Sequence, residues 1–221
     1  FGPEVRLDIE CELAYIVGTG SKLGDRIATG DFDQHVFGMA IFNDWSARGI
    51  QAWEYVPLGP HLGKSFASSL SAWITPMLAL TEARVPTPEQ GDQIAYLKMD
   101  EPWGLDIALE VSLNGEVVSR PPYKETFWSP AQMLAQLTVN GASASTGDFF
   151  ASGTISGTEK DSRGAFIEIT WNGTDPIEVG GETRTFLEDG DEVAITGSAP
   201  GPNGTRIGCP ECRGRILPAK M

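Results

Sequence analysis

The segment LDIALEVSLNGEVVSR, residues 105–120, alternates apolar and polar side chains on both sides of Asn114-Gly115. Side chains along a strand point to opposite faces in turn, so this alternation specifies one buried face and one wet face. Asn-Gly closes two-residue hairpins because both residues accept a positive φ. The device recurs. AFIEITWNGTDPIEV, 165–179, reads as strands turning at Asn172-Gly173, and TFLEDGDEVAITG, 185–197, is broken at Asp189-Gly190. With 26 glycines and 15 prolines among 221 residues, the chain is punctuated for short strands and tight turns. One helix is marked. Ser129 caps it, Pro130 suits its first turn, Met133, Leu134 and Leu137 form an apolar stripe for the core, and Asn140-Gly141 closes it. ARVPTPEQGDQ, 83–93, reads as a long surface loop. The expected architecture is one mainly β domain over residues 1–221, with one or two helices.

RLDIECELAYIVG, residues 6–18, sets Asp8, Glu10 and Glu12 at every second position with Leu7, Ile9, Cys11 and Leu13 between them. On a strand the three carboxylates share a face and repel. Water compensates them if the face is simply the wet side of a sheet. A hard divalent cation does so if Asp44 joins Glu10 and Glu12 to complete part of an oxygen shell.

The remaining composition narrows the classes. Sixteen basic residues against 30 acidic ones give a net charge of −14, which opposes binding to nucleic acid or an anionic membrane. No apolar run approaches the ~20 residues of a membrane span. Three cysteines, Cys11, Cys209 and Cys212, point to a reducing compartment without a disulfide framework. Cys209-Pro210-Glu211-Cys212 lacks the second pair or histidines of a zinc site. GPHLGKS (59–65) and GTGSKLG (18–24) each miss a nucleotide-binding spacing by one residue. The chain opens at Phe1, without a signal peptide, and runs at once into a strand pattern, so further sequence is expected upstream.

The densest chemistry lies in FNDWSARGIQAWEYVPLGPHLGKSFASSLSAW, residues 42–73. Charged and polar groups stand among Trp45, Trp53 and Phe66, a mixture that suits a shaped pocket. A helical turn would put Arg48, Gln51 and Tyr55 on one face. The alternative is a solvated helix face over a buried tryptophan.

NDWSARGIQAWEYVPLGPHLGKSF closely resembles the signature of the fumarylacetoacetase family, and LDIECELAYIVGTGSKLG, HVFGM, ASGTISG, TWNGTDPIEV, FLEDGDEVAITG and GRILPA follow in family order, from about Leu7 to Ala219. The resemblance implies a mixed β-sandwich roll, a cytosolic homodimer, and Mg²⁺ or Ca²⁺ in a site that hydrolyses a carbon–carbon bond of a diketo acid in tyrosine and phenylalanine breakdown. It makes Glu10, Glu12 and Asp44 metal ligands, and associates Lys64 and Ser68 with a magnesium site. Arg48, Gln51 and Lys64 would hold substrate and stabilise the departing carbanion, and Tyr55 and Thr154 would contact substrate. Glu168 would orient a general-base histidine; by pattern alone it is a wet strand position. Asp8 becomes a structural acid.

Departures from the family accompany the likeness. Gly49 stands where an aspartate is usual, Ser68 where threonine is frequent, His61 where phenylalanine is usual, and the helix before VNG is about three residues shorter. Neither His35 nor His61 matches the base, so the chain alone is expected to be inactive on fumarylacetoacetate. The rivals are another enzyme of the superfamily, such as an acylpyruvate hydrolase or oxaloacetate decarboxylase, and a non-catalytic cation-binding β-module.

Overall fold

A computed structural model describes residues 1–220. In chain order the strands are β1 (Leu7–Asp8), β2 (Cys11–Val17), β3 (Val36–Asp44), β4 (Ser46–Ala47), β5 (Ser68–Leu70), β6 (Thr75–Pro76), β7 (Arg84–Pro86), β8 (Trp103–Leu105), β9 (Ala108–Leu113), β10 (Glu116–Ser119), β11 (Phe149–Ala151), β12 (Ile177–Val179), β13 (Glu182–Arg184), β14 (Glu192–Pro200) and β15 (Arg206–Arg215). The α-helices are α1 (Phe32–His35), α2 (Arg48–Glu54), α3 (Pro130–Thr138) and α4 (Phe166–Ile169).

Two antiparallel sheets form the body, one in the order β11-β2-β3-β5 with β6 also on β3, the other β10-β9-β14-β15. Cys11, Leu13 and Tyr15 of β2 and Met39 and Ile41 of β3 join Val111 and Leu113 of β9 and Val193 and Ile195 of β14 in one apolar cluster. This is the mainly β sandwich roll expected. Asn114-Gly115 closes the β9–β10 hairpin with φ of 52° and 86°, as a type I′ turn requires.

The strand through residues 6–18 differs from its pattern. It is interrupted at Ile9-Glu10, and β1 pairs with β4 rather than continuing into β2. All seven residues of β2 are buried, and Asp8 and Glu12 are 0% and 3% exposed, so these acids do not form the wet side of a sheet. Within β2 the alternation still holds, because Cys11, Leu13 and Tyr15 enter the core cluster while Glu12 points the other way.

Residues 165–179 are not a hairpin. Phe166–Ile169 is helical, Trp171, Asn172 and Gly173 all take positive φ, and only Ile177–Val179 is a strand, paired with β13. The cause is tertiary. The Asp8 carboxylate accepts from the Phe166 and Ile167 amides at 2.7 and 3.0 Å, capping the start of α4 and overriding the β-branched composition. Glu168 therefore sits on a helix, not on a strand.

The helix α3 forms as its signals direct, with Ser129 and Gln132 in a capping box. Ala131, Leu134 and Ala135 supply its buried face, whereas Leu137 is 50% exposed and is not a core residue. The predicted loop 83–93 begins as β7, paired with β8. On β15 a register shift places the three-residue step Cys209–Cys212 opposite the two-residue step Gly197–Ile195, so both thiols face inward. All three cysteines are free and buried, and burial pushes their thiols up, Cys212 to about 11, which makes them inert.

Replacing Asp8 by alanine removes the cap of α4 and the charge partner of Arg48, itself 6% exposed. Loss of one member of a buried pair costs about 3–5 kcal/mol. Urea unfolding of Asp8→Ala should show a loss of that order, and a loss below ~1 kcal/mol would show that the pair contributes little.

Candidate metal centre and its surroundings

The β2–β3 register builds the site. Cys11 pairs with Asn43 and Glu12 with Phe42, so Glu10 stands opposite Asp44, whose amide donates to the Glu10 carbonyl at 3.2 Å. Glu10, Glu12 and Asp44 therefore share the face that looks away from the core. Their carboxylate oxygens lie within 4.8 Å of one another. Glu12 is steadied by the Gly153 amide, which donates to its Oε2 at 2.9 Å.

Two cations enter from the segment after β3. Arg48 opens α2, and its guanidinium donates to Asp8 Oδ2 at 2.8 Å, Glu10 Oε1 at 2.8 Å and Gln51 Oε1 at 3.0 Å. The expected helical face is thus real for Arg48 and Gln51. Tyr55 follows at the end of α2 and is 55% exposed. Lys64 Nζ lies 2.5 Å from Glu10 Oε2, 3.2 Å from Asp44 Oδ2 and 2.7 Å from Ser46 Oγ.

Asp8 carries the remaining charge. Its Oδ1 accepts from the Ile9 and Phe166 amides at 2.7 Å each, and its Oδ2 from Arg48 and the Ile167 amide. Burial pushes its carboxyl up, against the pull of Arg48 and these amides. Every oxygen already receives two donors and none offers an acceptor for an acid proton, so Asp8 is ionised.

The charges across the face are unbalanced. Burial, then the charges of Glu10 and Asp44, push the Glu12 carboxyl up to about 8. Burial also raises Asp44, despite Lys64. Glu10 behaves otherwise: although burial pushes it up, Lys64 and Arg48 together hold it below the ordinary value. Three convergent, mutually repelling carboxylates form a hard oxygen donor set, which fits a hard divalent cation.

The other predicted residues surround this point at varied depth. Ser68 lies across the β3–β5 pair from Asp44 but is exposed. Thr154, half-buried, follows the glycine that holds Glu12. Glu168 is outside the cluster; Ser156 Oγ donates to its Oε2 at 2.5 Å, and α4 reaches the cluster only through Asp8 and Arg48. His35 uses Nδ1 on the Thr19 carbonyl at 2.7 Å, and His61 is exposed in the turn before Lys64.

Sequence reasoning missed Ser46, Ser156 and above all Glu4. Glu4 Oε2 accepts from the Gly49 and Ile50 amides at 2.9 and 3.1 Å, and its Oε1 from Val5 and Arg6 at 2.9 and 2.8 Å. It caps α2 just behind Arg48. A Cβ on residue 49 would lie 2.8 Å from that carboxylate, so the glycine makes the room. The only available signal was Gly49 itself, in a place where a helix start favours an acid. Glu4→Ala should cost about 1 kcal/mol, the usual worth of a cap. Gly49→Ala should cost nothing further in a Glu4→Ala background, because the carboxylate it displaces is already gone. Urea unfolding of the two single variants and the double variant checks both.

Comparison with known proteins shows the family and the fold. The family model described as fumarylacetoacetate (FAA) hydrolase C-terminal matches residues 2–215. The fumarylacetoacetases of Rattus norvegicus and Homo sapiens are 47% and 48% identical over 99% and 97% of this chain. The chain spans about half the length of the curated relatives it matches, 54% and 53% for these two. Among solved structures, the fumarylacetoacetate hydrolase of psychrophilic Exiguobacterium antarcticum superposes with a TM-score of 0.64 at 20% identity, over 97% of this chain and 57% of that one. At that identity the likeness speaks for the fold. The sequence matches speak for descent: this chain belongs to the fumarylacetoacetate hydrolase C-terminal family.

Proposed function

We propose that residues 1–221 form the catalytic domain of a hydrolase that splits 4-fumarylacetoacetate into fumarate and acetoacetate, with Mg²⁺ or Ca²⁺ held by Glu10, Glu12 and Asp44. The observation that carries this reading is the convergence of those three acids beside Lys64, Arg48 and Gln51, in a chain whose relatives are named fumarylacetoacetases.

The chemistry adds water across a carbon–carbon bond. Hydroxide attacks one carbonyl, the bond beside it breaks, and the electron pair leaves as an enolate that is then protonated. When bound, the cation supplies Lewis-acid charge for the ketonic oxygens. Lys64 and Gln51 are the donors placed to meet the enolate, and preorganised donors of this kind stabilise developing charge strongly in a dry site. Arg48 is buried and engaged by Asp8, Glu10 and Gln51, so it acts as a positioning residue rather than by touching substrate. By binding Gln51 Oε1 it leaves the amide hydrogens of Gln51 free for substrate. Tyr55 and Thr154 would line the substrate path, and Ser68 would border the metal side.

Glu168, held by Ser156, would orient a general-base imidazole and keep its tautomer. His35 is bound to the Thr19 carbonyl and His61 is exposed in the turn before Lys64, so that base would come from outside these residues. The homodimer belongs to the same proposal: Trp53, Leu58, Phe66 and Trp73 are exposed at 90%, 82%, 51% and 75%, and such surface favours burial against a partner. No helix among the described residues is long and apolar enough to cross a membrane. A cytosolic location is proposed with the activity.

Calorimetry checks the metal and substrate separately. Mg²⁺ or Ca²⁺ should bind the chain, and Asp44→Asn and Glu12→Gln should each weaken binding at least about tenfold, the scale of losing one charged ligand. Acetoacetate, the product, should then bind only in the presence of the cation, and more weakly in Gln51→Ala. Cation-dependent binding of an acylpyruvate without binding of fumarylacetoacetate or acetoacetate would give the site to the alternative hydrolase.

A further inference from the structure

Resting on the metal reading above, we propose that Lys64 is the built-in counter-cation of the carboxylate cluster and limits how tightly a divalent cation binds there. An ammonium has three hydrogens to donate. Lys64 donates one to Ser46 Oγ at 2.7 Å and holds Nζ 2.5 Å from Glu10 Oε2 and 3.2 Å from Asp44 Oδ2, so its charge lies inside the cluster. The side chain is only 17% exposed.

Its backbone is held as firmly. Glu54 Oε1 accepts from the His61 and Gly63 amides at 2.7 Å each, and the Gly63 carbonyl accepts from the Ala47 amide at 2.8 Å. A Cβ on Gly63 would stand 2.9 Å from the Gln51 nitrogen, so the turn lies directly on α2. Lys64 therefore reaches the carboxylates from a fixed base.

The charge count gives the consequence. With every acid ionised, as ligation of a metal requires, Asp8, Glu10, Glu12 and Asp44 face Arg48 and Lys64, four carboxylates against two cations, which leaves two negative charges for a divalent ion to balance. Without Lys64 the deficit is three, and Glu10 Oε2 and Asp44 Oδ2 lose their competing partner. A divalent cation then meets more negative charge and less repulsion. Lys64 thus trades metal affinity for a folded, neutralised cluster in the absence of metal. The same ammonium faces both the carboxylates and the place proposed for the enolate, so cation binding and the availability of Lys64 for substrate are linked.

Calorimetric titration with Ca²⁺ and with Mg²⁺ tests this on the parent chain, Lys64→Met and Lys64→Arg. Thermal melts in EDTA and in Ca²⁺ report on folding. Lys64→Met should bind at least about tenfold more tightly, melt below the parent in EDTA, and gain more than the parent from Ca²⁺. Lys64→Arg, which keeps the charge, should stay near the parental affinity. A folded Lys64→Met with parental or weaker affinity overturns the inference; if parental binding is still lost in Asp44→Asn, the metal reading survives it. Absence of binding in the parent and in every variant overturns both.

Discussion

The ion pair between Asp8 and Arg48 lies beneath everything else at this site. It is buried, with donors on every oxygen of the carboxylate, and it joins three parts of the chain: β1, the start of α2 and the start of α4. Burial of this kind is expensive, because both charges give up water. What it contributes is position. Arg48 cannot move without releasing Asp8, and from that fixed point it sets Glu10 on one side and Gln51 on the other. The carboxylate cluster is therefore supported from behind by a charge that never meets solvent.

Outward from that pair, polar character rises in steps. Asp8 is sealed, Glu10 and Lys64 are mostly covered, Asp44 is a quarter exposed, and Tyr55 and Ser68 are open. A cation entering at the exposed end would find open groups first and buried ones last. Asp8 and Glu12 are held by main-chain amides, the Gly153 amide on Glu12 among them, whereas Glu10 and Lys64 are held by side chains.

Much of this was legible in the residues. Alternation within LDIECELAYIVG placed Glu10 and Glu12 together, and the Asn114-Gly115 hairpin and the Ser129 cap appear where their local chemistry puts them. Local signals could not reveal partners far along the chain. Pattern alone leaves Asp8 between water and a cation because its partner is 40 residues away, and residues 165–171 read as extended because the carboxylate that caps α4 belongs to β1. Glu4 was invisible for the same reason: the only trace it leaves in sequence is the missing side chain of Gly49. Long-range electrostatics, not propensity, decided each of these places.

The pairing of β2 with β3 has a consequence for how such a chain can change over time. One register sends Leu13 and Ile41 into the core and sets Glu12 and Asp44 on the opposite face. Side chains swap faces with every one-residue slip. A single deletion inside either strand would bury the acids among the hydrocarbons and turn the core outward, so folding and chemistry would fail together. A change of length would be tolerated better in the connections, as in the exposed residues 22–26, where it leaves the phase of both strands intact. The phase of two strands acts as a lock on insertion and deletion that no single substitution can open.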